Sequence, residues 1–184
     1  MKLYVMRHGE TDWNLKKLYQ GQTDVPLNET GLRQAEAAKE KVWPGMADLI
    51  FCSTLSRARQ TAAAVNGVLN VPVIYRADMK ERYFGEWEGL SYVEKRTHPY
   101  IASGNYDNYR CEERVAGIET CRELCERAWG LLKEIKAFYP DKKILLVSHG
   151  SWMRALSAYF RGLDENGSVG HARADNCEIM EYEL

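Results

Sequence analysis

"LYVMRHGETDWN", residues 3–14, sets an apolar run directly before a crowd of polar side chains. Residues 2–6 read as a short buried strand that stops at Arg7-His8-Gly9. A surface turn can be polar, but it has no need of an arginine beside a histidine. A site that binds an anion and does chemistry on it has that need. The same pattern recurs twice. "ADLIFCS" (47–53) reads as a strand running into the cluster Ser53 to Arg57, and "KKILLVSHG" (142–150) runs into Ser148-His149-Gly150.

Outward from these strands, helical spacing covers 27–42, 54–69, 119–138 and 151–160. Two further strands are predicted at 71–76 and 177–184. Strands alternating with helices predict an α/β fold, here a three-layer α/β/α arrangement around a mainly parallel sheet. Sites in such sheets form beyond the carboxyl ends of the strands, where all three polar clusters fall. Residues of about 79–117 are too many for a plain connection, and a lid over those strand ends is expected. With 184 residues and no repeats, a single domain spanning 1–184 is expected.

Composition removes several classes of function. The formal net charge of −1 argues against a nucleic-acid binder, which usually carries a basic face. No apolar run reaches membrane-spanning length. The first residues lack the regions of a signal peptide, and the odd, unpatterned set of five cysteines suits free thiols in a reducing compartment. A cytoplasmic protein is the expectation.

The three clusters supply two arginines, Arg7 and Arg57, whose planar guanidinium forks match phosphate oxygens. They also supply two histidines. A neutral imidazole can attack phosphorus, and a second cationic or hydrogen-bonding group can stabilise the transferring phosphoryl oxygens. An acid is then needed for the leaving alkoxide. "KERYFGEWEG" (80–89) offers Glu81, Glu86 and Glu88. Other chemistries fit less well. "CRELCER" (121–127) has the C-x5-R spacing of a cysteine phosphatase, but Glu123 and Glu126 would repel phosphate and no glycine shapes a loop. Its cysteines recur with Leu124, Ala128, Leu132 and Ile135 at helical spacing and read as core. No paired spacing supports zinc at Cys111, Cys121 and Cys125.

"RHGETDWN" (7–14) resembles the signature of the histidine phosphatase superfamily, in its phosphoglycerate-mutase-like branch. "QGQTDVPLNETGLRQA" (20–35), "STLSRARQTA" (53–62), "MKERYFGEWEGL" (79–90), "AGIET" (116–120) and "VSHG" (147–150) resemble that branch too, in its order. The resemblance implies catalytic roles for five residues. His8 would be the nucleophile that becomes phosphohistidine, Arg7, Arg57 and His149 would hold the phosphoryl group, and Glu81 would be the proton donor. It implies substrate contacts at Asn14, Gln20, Gly21 and Thr120. The family often reads Gly-Gly-Glu-Ser where this chain reads Gly117-Ile118-Glu119-Thr120, which leaves the part played by Ile118 open.

The expected activity is therefore hydrolysis of a small phosphorylated metabolite with no metal and no cofactor. α-Ribazole phosphate, a sugar phosphate, a phosphoglycerate or a broad range of esters remain open as substrates. A cofactor-dependent phosphoglycerate mutase and a catalytically idle phospho-ligand binding module are the alternatives. Mutases of the family are longer and carry neighbouring lid arginines. Here Arg96, Arg110 and Arg114 are well separated, and Arg82 is the residue that keeps the mutase reading open. Of the remaining candidates, Arg33 and Arg59 read as helix-surface charges, and His98 and His171 as surface residues.

Overall fold

A computed structural model describes residues 1–170 and 174–184, and His171 lies outside them. In chain order the elements are β1 (Lys2–Arg7), α1 (Asp12–Leu15), α2 (Glu29–Ala37), β2 (Leu49–Ser53), α3 (Ser56–Leu69) and β3 (Val73–Arg76). There follow α4 (Pro99–Ala102), α5 (Cys121–Phe138), β4 (Ile144–Ser148), α6 (Gly150–Arg161) and β5 (Ile179–Glu183). The sheet order is β3-β2-β4-β1-β5. The first four strands are parallel, and β5 closes the edge antiparallel to β1.

Side-chain alternation builds the layers. Leu3, Val5, Leu49, Phe51, Ile144 and Leu146 pack on one face, with α5 and α6. Tyr4, Met6, Ile50, Cys52, Leu145 and Val147 pack on the other, with α2 and α3. A strand covered on both faces has no solvent-facing side to mark, so it reads as a continuous apolar run. This is the α/β/α arrangement expected. Cys121 and Cys125 lie in the core beside Leu124, Ala128, Leu132 and Ile135, as their spacing predicts.

Topology sets the site. β2, β4 and β1 are neighbours, and Arg7 pairs in register with Ser148. The three polar clusters, distant in sequence, therefore meet at one edge. Helices α2 and α5 start later than expected because flanking residues serve as caps. Asn28 accepts from the Gly31 amide ahead of α2, and Thr120 accepts from the Glu123 amide ahead of α5.

The segment between β3 and α5 is mostly 3-10 turns and loop. It carries a small core of its own, in which Phe84, Trp87, Tyr100 and Ile118 pack with Tyr19. Ile118 is fully buried there. His98 is only half-buried. Its ring stands edge-on to Trp87 at 5.0 Å, and its Nδ1 accepts from the Tyr100 amide, so it is not a plain surface residue.

The loop after β1 lies against the first turn of α2. A Cβ on Gly31 would fall 2.0 Å from the Glu10 carbonyl oxygen, and one on Gly9 would fall 2.6 Å from the Gly31 oxygen. Alanine is the better helix former by about 1 kcal/mol, but overpacking against backbone costs about 1–3 kcal/mol or more. Gly31→Ala is expected to lower the thermal midpoint. A midpoint equal to or above wild type would contradict the close approach.

Candidate active site

Beyond the ends of β1, β2 and β4 opens a cleft of about 730 Å³. Arg7, His8, Asn14, Gln20, Arg57 and Glu81 line its polar part. Leu18, Tyr19, Phe84, Tyr92 and Tyr106 form an apolar wall, with Arg96 and Arg154 beside it. The volume exceeds what a phosphate group needs and suits a small organic ester.

His8 follows β1 directly and is buried. Its Nδ1 lies 2.6 Å from the Gly9 carbonyl oxygen. A carbonyl only accepts, so Nδ1 carries the ring proton and Nε2 keeps the lone pair. The backbone around it is fixed from several sides. The His8 amide donates to Ser148 at 3.1 Å, its carbonyl accepts from Asn176 Nδ2 at 2.7 Å, and the Gly9 amide donates to Thr61 Oγ1 at 3.0 Å.

His149 lies beside it, with ring centroids 5.1 Å apart. Arg57 Nε donates to His149 Nδ1 at 3.2 Å. A guanidinium only donates, so here Nδ1 is the acceptor and Nε2 carries the proton, donated to Ser53 Oγ at 2.7 Å. The two histidines thus hold opposite tautomers. His149 is fully buried behind the cleft rather than among its lining groups. Burial, then the charge of Arg57, hold both rings neutral, their pKa values well below 6.5.

Arg57 reaches the cleft from the first turn of α3. Its Nη1 donates to Thr23 O at 3.0 Å and its Nη2 to Gly21 O at 2.8 Å. Burial pushes its pKa down to about 10, which leaves it charged at neutral pH. Arg7 donates from Nη1 to Ala174 O at 2.9 Å. A Cβ on Gly150 would lie 3.7 Å from Arg7 Nε and 3.8 Å from Glu81 Oε2, so the guanidinium and the carboxylate flank one glycine.

Glu81 places its carboxylate on the N-terminus of α6. Ser151 N donates to both oxygens at 3.1 Å, and Trp152 N at 3.2 Å and Arg82 N at 2.8 Å donate to Oε1. These amides favour a negative charge there. The rival carboxylates are placed otherwise. Glu86 is exposed. Glu88 accepts from the amides of Gln22, Thr23 and Phe84 and clips the 20–23 loop in place.

The structure brings together most, but not all, of the residues expected at the site. Asn14 Oδ1 is taken up by the Thr11 cap of α1, which leaves its amide nitrogen as the donor to the cleft. Gln20 Oε1 accepts from Thr11 Oγ1 at 2.9 Å while the side chain lines the cleft. Gly21 acts through its carbonyl on Arg57 and does not itself line the cleft. Thr120 serves as the N-cap of α5. Its hydroxyl and amide close a capping box with Glu123, and it lies outside the cleft lining. The sequence assigns no part to Thr61 or Arg154, offers Glu88 only as a candidate acid, and marks Ser53 only as the start of a polar cluster.

Among the described residues, no group of three or more His, Cys, Asp or Glu is placed to hold a metal. No helix of the described residues is long and apolar enough to cross a membrane.

The family described as the histidine phosphatase superfamily (branch 1) matches residues 3–184, and the chain belongs to it. The uncharacterized phosphatase PhoE of Bacillus subtilis (strain 168) is 41% identical over 180 residues, covering 96% of this chain and 88% of its own. A metal-independent phosphoserine phosphatase of Arabidopsis thaliana is 32% identical, covering 84% of this chain and 66% of its own. The solved structure of a mycobacterial glucosyl-3-phosphoglycerate phosphatase in complex with VO3 superposes with a TM-score of 0.86. It is 28% identical, covering 98% of this chain and 90% of that one.

The neutral histidines carry a consequence for stability. Unfolded, both rings take up protons near pH 6.5; folded, they resist doing so. Below that pH the unfolded state binds more protons, so stability falls as pH falls. The urea midpoint is expected to drop between about pH 7.5 and 5.5, and His149→Gln should flatten the slope. A midpoint that rises or stays level over that window would contradict the burial of two neutral rings.

Proposed function

We propose that this chain is a phosphatase that hydrolyses small phosphomonoesters through a phosphohistidine on His8. The observation that carries the reading is the Nδ1–H···O=C bond from His8 to Gly9, which leaves a neutral ring with its lone pair on Nε2 inside an arginine-bearing cleft. Nε2 attacks phosphorus and the ester P–O bond breaks. Glu81, in its protonated form, gives its proton to the departing alkoxide, and the α6 amides stabilise the carboxylate left behind. Water then attacks the phosphohistidine, its proton passes to Glu81, and inorganic phosphate leaves. Arg7 and Arg57 hold the phosphoryl oxygens, with Asn14 as a further donor and Gln20 at the border. His149 acts from behind by fixing Arg57.

The mutase alternative loses its support at Arg82. That guanidinium is buried, donates to Glu119 O and Tyr106 O at 2.7 Å each, and does not line the cleft. Of Arg96, Arg110 and Arg114, only Arg96 reaches the cleft. An idle binding module needs neither the oriented imidazole nor the carboxylate. Segment 79–117 is read as a lid within a single domain. The free cysteines support a cytoplasmic location, and the ligand is a small phosphorylated metabolite rather than a nucleic acid or a membrane.

His8→Ala is expected to lower turnover by several orders of magnitude, because the covalent route disappears. Acid-labile, base-stable phosphate should be trapped on His8 when wild type is quenched during turnover. An adduct on a cysteine or an aspartate would sink the mechanism. Since Arg7 and Arg57 already supply the positive field, activity should survive exhaustive chelation. Loss on chelation with recovery on one divalent metal would refute metal independence.

A further inference from the structure

The irregular segment 78–83 has no strand or helix ladder of its own through 81–83, yet it must deliver Glu81 to the cleft. Backbone without a ladder is held by side chains or not at all. Trp152 Nε1 donates to Asp78 O at 2.9 Å, Ser148 Oγ to Met79 O at 2.8 Å and Gln22 Nε2 to Glu81 O at 3.3 Å, and two further side chains outside the cleft span the whole segment. We propose that Arg127 and Glu119 are positioning residues for Glu81, a pair that fixes the backbone from which the carboxylate reaches the reacting ester. The inference rests on Glu81 being the proton donor.

Arg127 comes from α5, on the side away from the cleft. All five of its N–H donors are engaged. Nη1 donates to Asp78 O and to Lys80 O, each at 2.7 Å, and Nη2 donates to Glu81 O at 3.0 Å. Nε and Nη2 grip the two carboxylate oxygens of Glu119 at 2.6 and 2.9 Å. Glu119 then holds the other end of the segment. Its Oε2 accepts from Tyr83 N at 3.0 Å, its amide donates to Tyr83 O at 2.9 Å, and its carbonyl accepts from Arg82 Nε at 2.7 Å. One ion pair therefore spans residues 78–83 from behind, while α6 holds the carboxylate in front.

Neither residue lines the cleft. Arg127 is the second arginine of "CRELCER" and Glu119 the acid of "AGIET", and the catalytic reading gives neither residue another use. The work needs a guanidinium. A lysine keeps the charge but is a point donor and cannot bridge three carbonyls and a carboxylate in one plane.

The test compares kcat/KM, which reports phosphoryl transfer to His8 and not the later hydrolysis of the phosphohistidine, on an alkyl phosphate, glycerol 2-phosphate, and on 4-nitrophenyl phosphate, whose leaving group needs little protonation. Wild type, Glu81→Gln, Arg127→Lys and Glu119→Gln are measured, with thermal midpoints and inhibition by inorganic phosphate. Arg127→Lys should lose on the order of 10²-fold on the alkyl ester, the cost of an ångström-scale misplacement. Its kcat/KM on the aryl ester and its phosphate inhibition should stay within about threefold of wild type, because neither needs a proton delivered to the leaving group. Glu119→Gln, which keeps the shape, should show the same selectivity at smaller size and decides the matter if Arg127→Lys does not fold. Equal losses on both esters, or none on either, in a folded variant would overturn the proposal. A uniform loss in Glu81→Gln would remove the proton-donor reading itself, and the proposal with it.

Discussion

Arg57 is a fully buried cation, and the site is arranged around the need to satisfy it. A buried charge is tolerated only where its donors find acceptors. Two of those acceptors are the carbonyls of Gly21 and Thr23, so the 20–23 loop must come down over α3. The third is a histidine nitrogen, which must therefore be unprotonated. From that one donor follow the neutrality of His149, the direction of its Nε2 proton and the use of Ser53. Glu88 holds the same loop from above. The loop, the second histidine and the end of β2 are thus fixed before any ligand arrives, which is the preorganisation that electrostatic catalysis requires.

The outer cleft has a different character. Its wall is aromatic, and of its two cations Arg154 is neutralised by a bidentate pair with Asp107 at 2.9 and 3.0 Å. The inner cleft holds the oriented imidazole and the arginines, and under the proposed reaction the aromatic wall is where the leaving group would lie. The segment between β3 and α5 supplies much of that wall, and it can vary while the strand ends stay fixed.

What was legible in the sequence is what is local. Continuous apolar runs ending in Arg7-His8, Ser53 and Ser148-His149 mark parallel strands and place the site at their ends, because chemistry and period share the same few residues. Thr120 carries a second, equally local signal. A threonine three residues before a glutamate at a helix start is also a capping box, and that is how the chain uses it. Glu88, Arg127 and the bond between Arg57 and His149 could not be read. The partners that give them their parts lie tens of residues away in sequence, 65 and 66 from Glu88, 46 to 49 from Arg127 and 92 between Arg57 and His149, and no spacing records them. Ile118 could be placed only once the small core around Trp87 was seen.

The account turns on two adjacent imidazoles held neutral in opposite tautomers, His8 protonated on Nδ1 and His149 on Nε2. Long-range proton–nitrogen NMR of the histidine rings, assigned with His8→Gln and His149→Gln, reads this directly. The structure predicts an Nδ1–H pattern for His8 and an Nε2–H pattern for His149, with neither ring titrating between about pH 8 and 6. An Nε2–H pattern for His8, or an imidazolium at either position in that range, would contradict it.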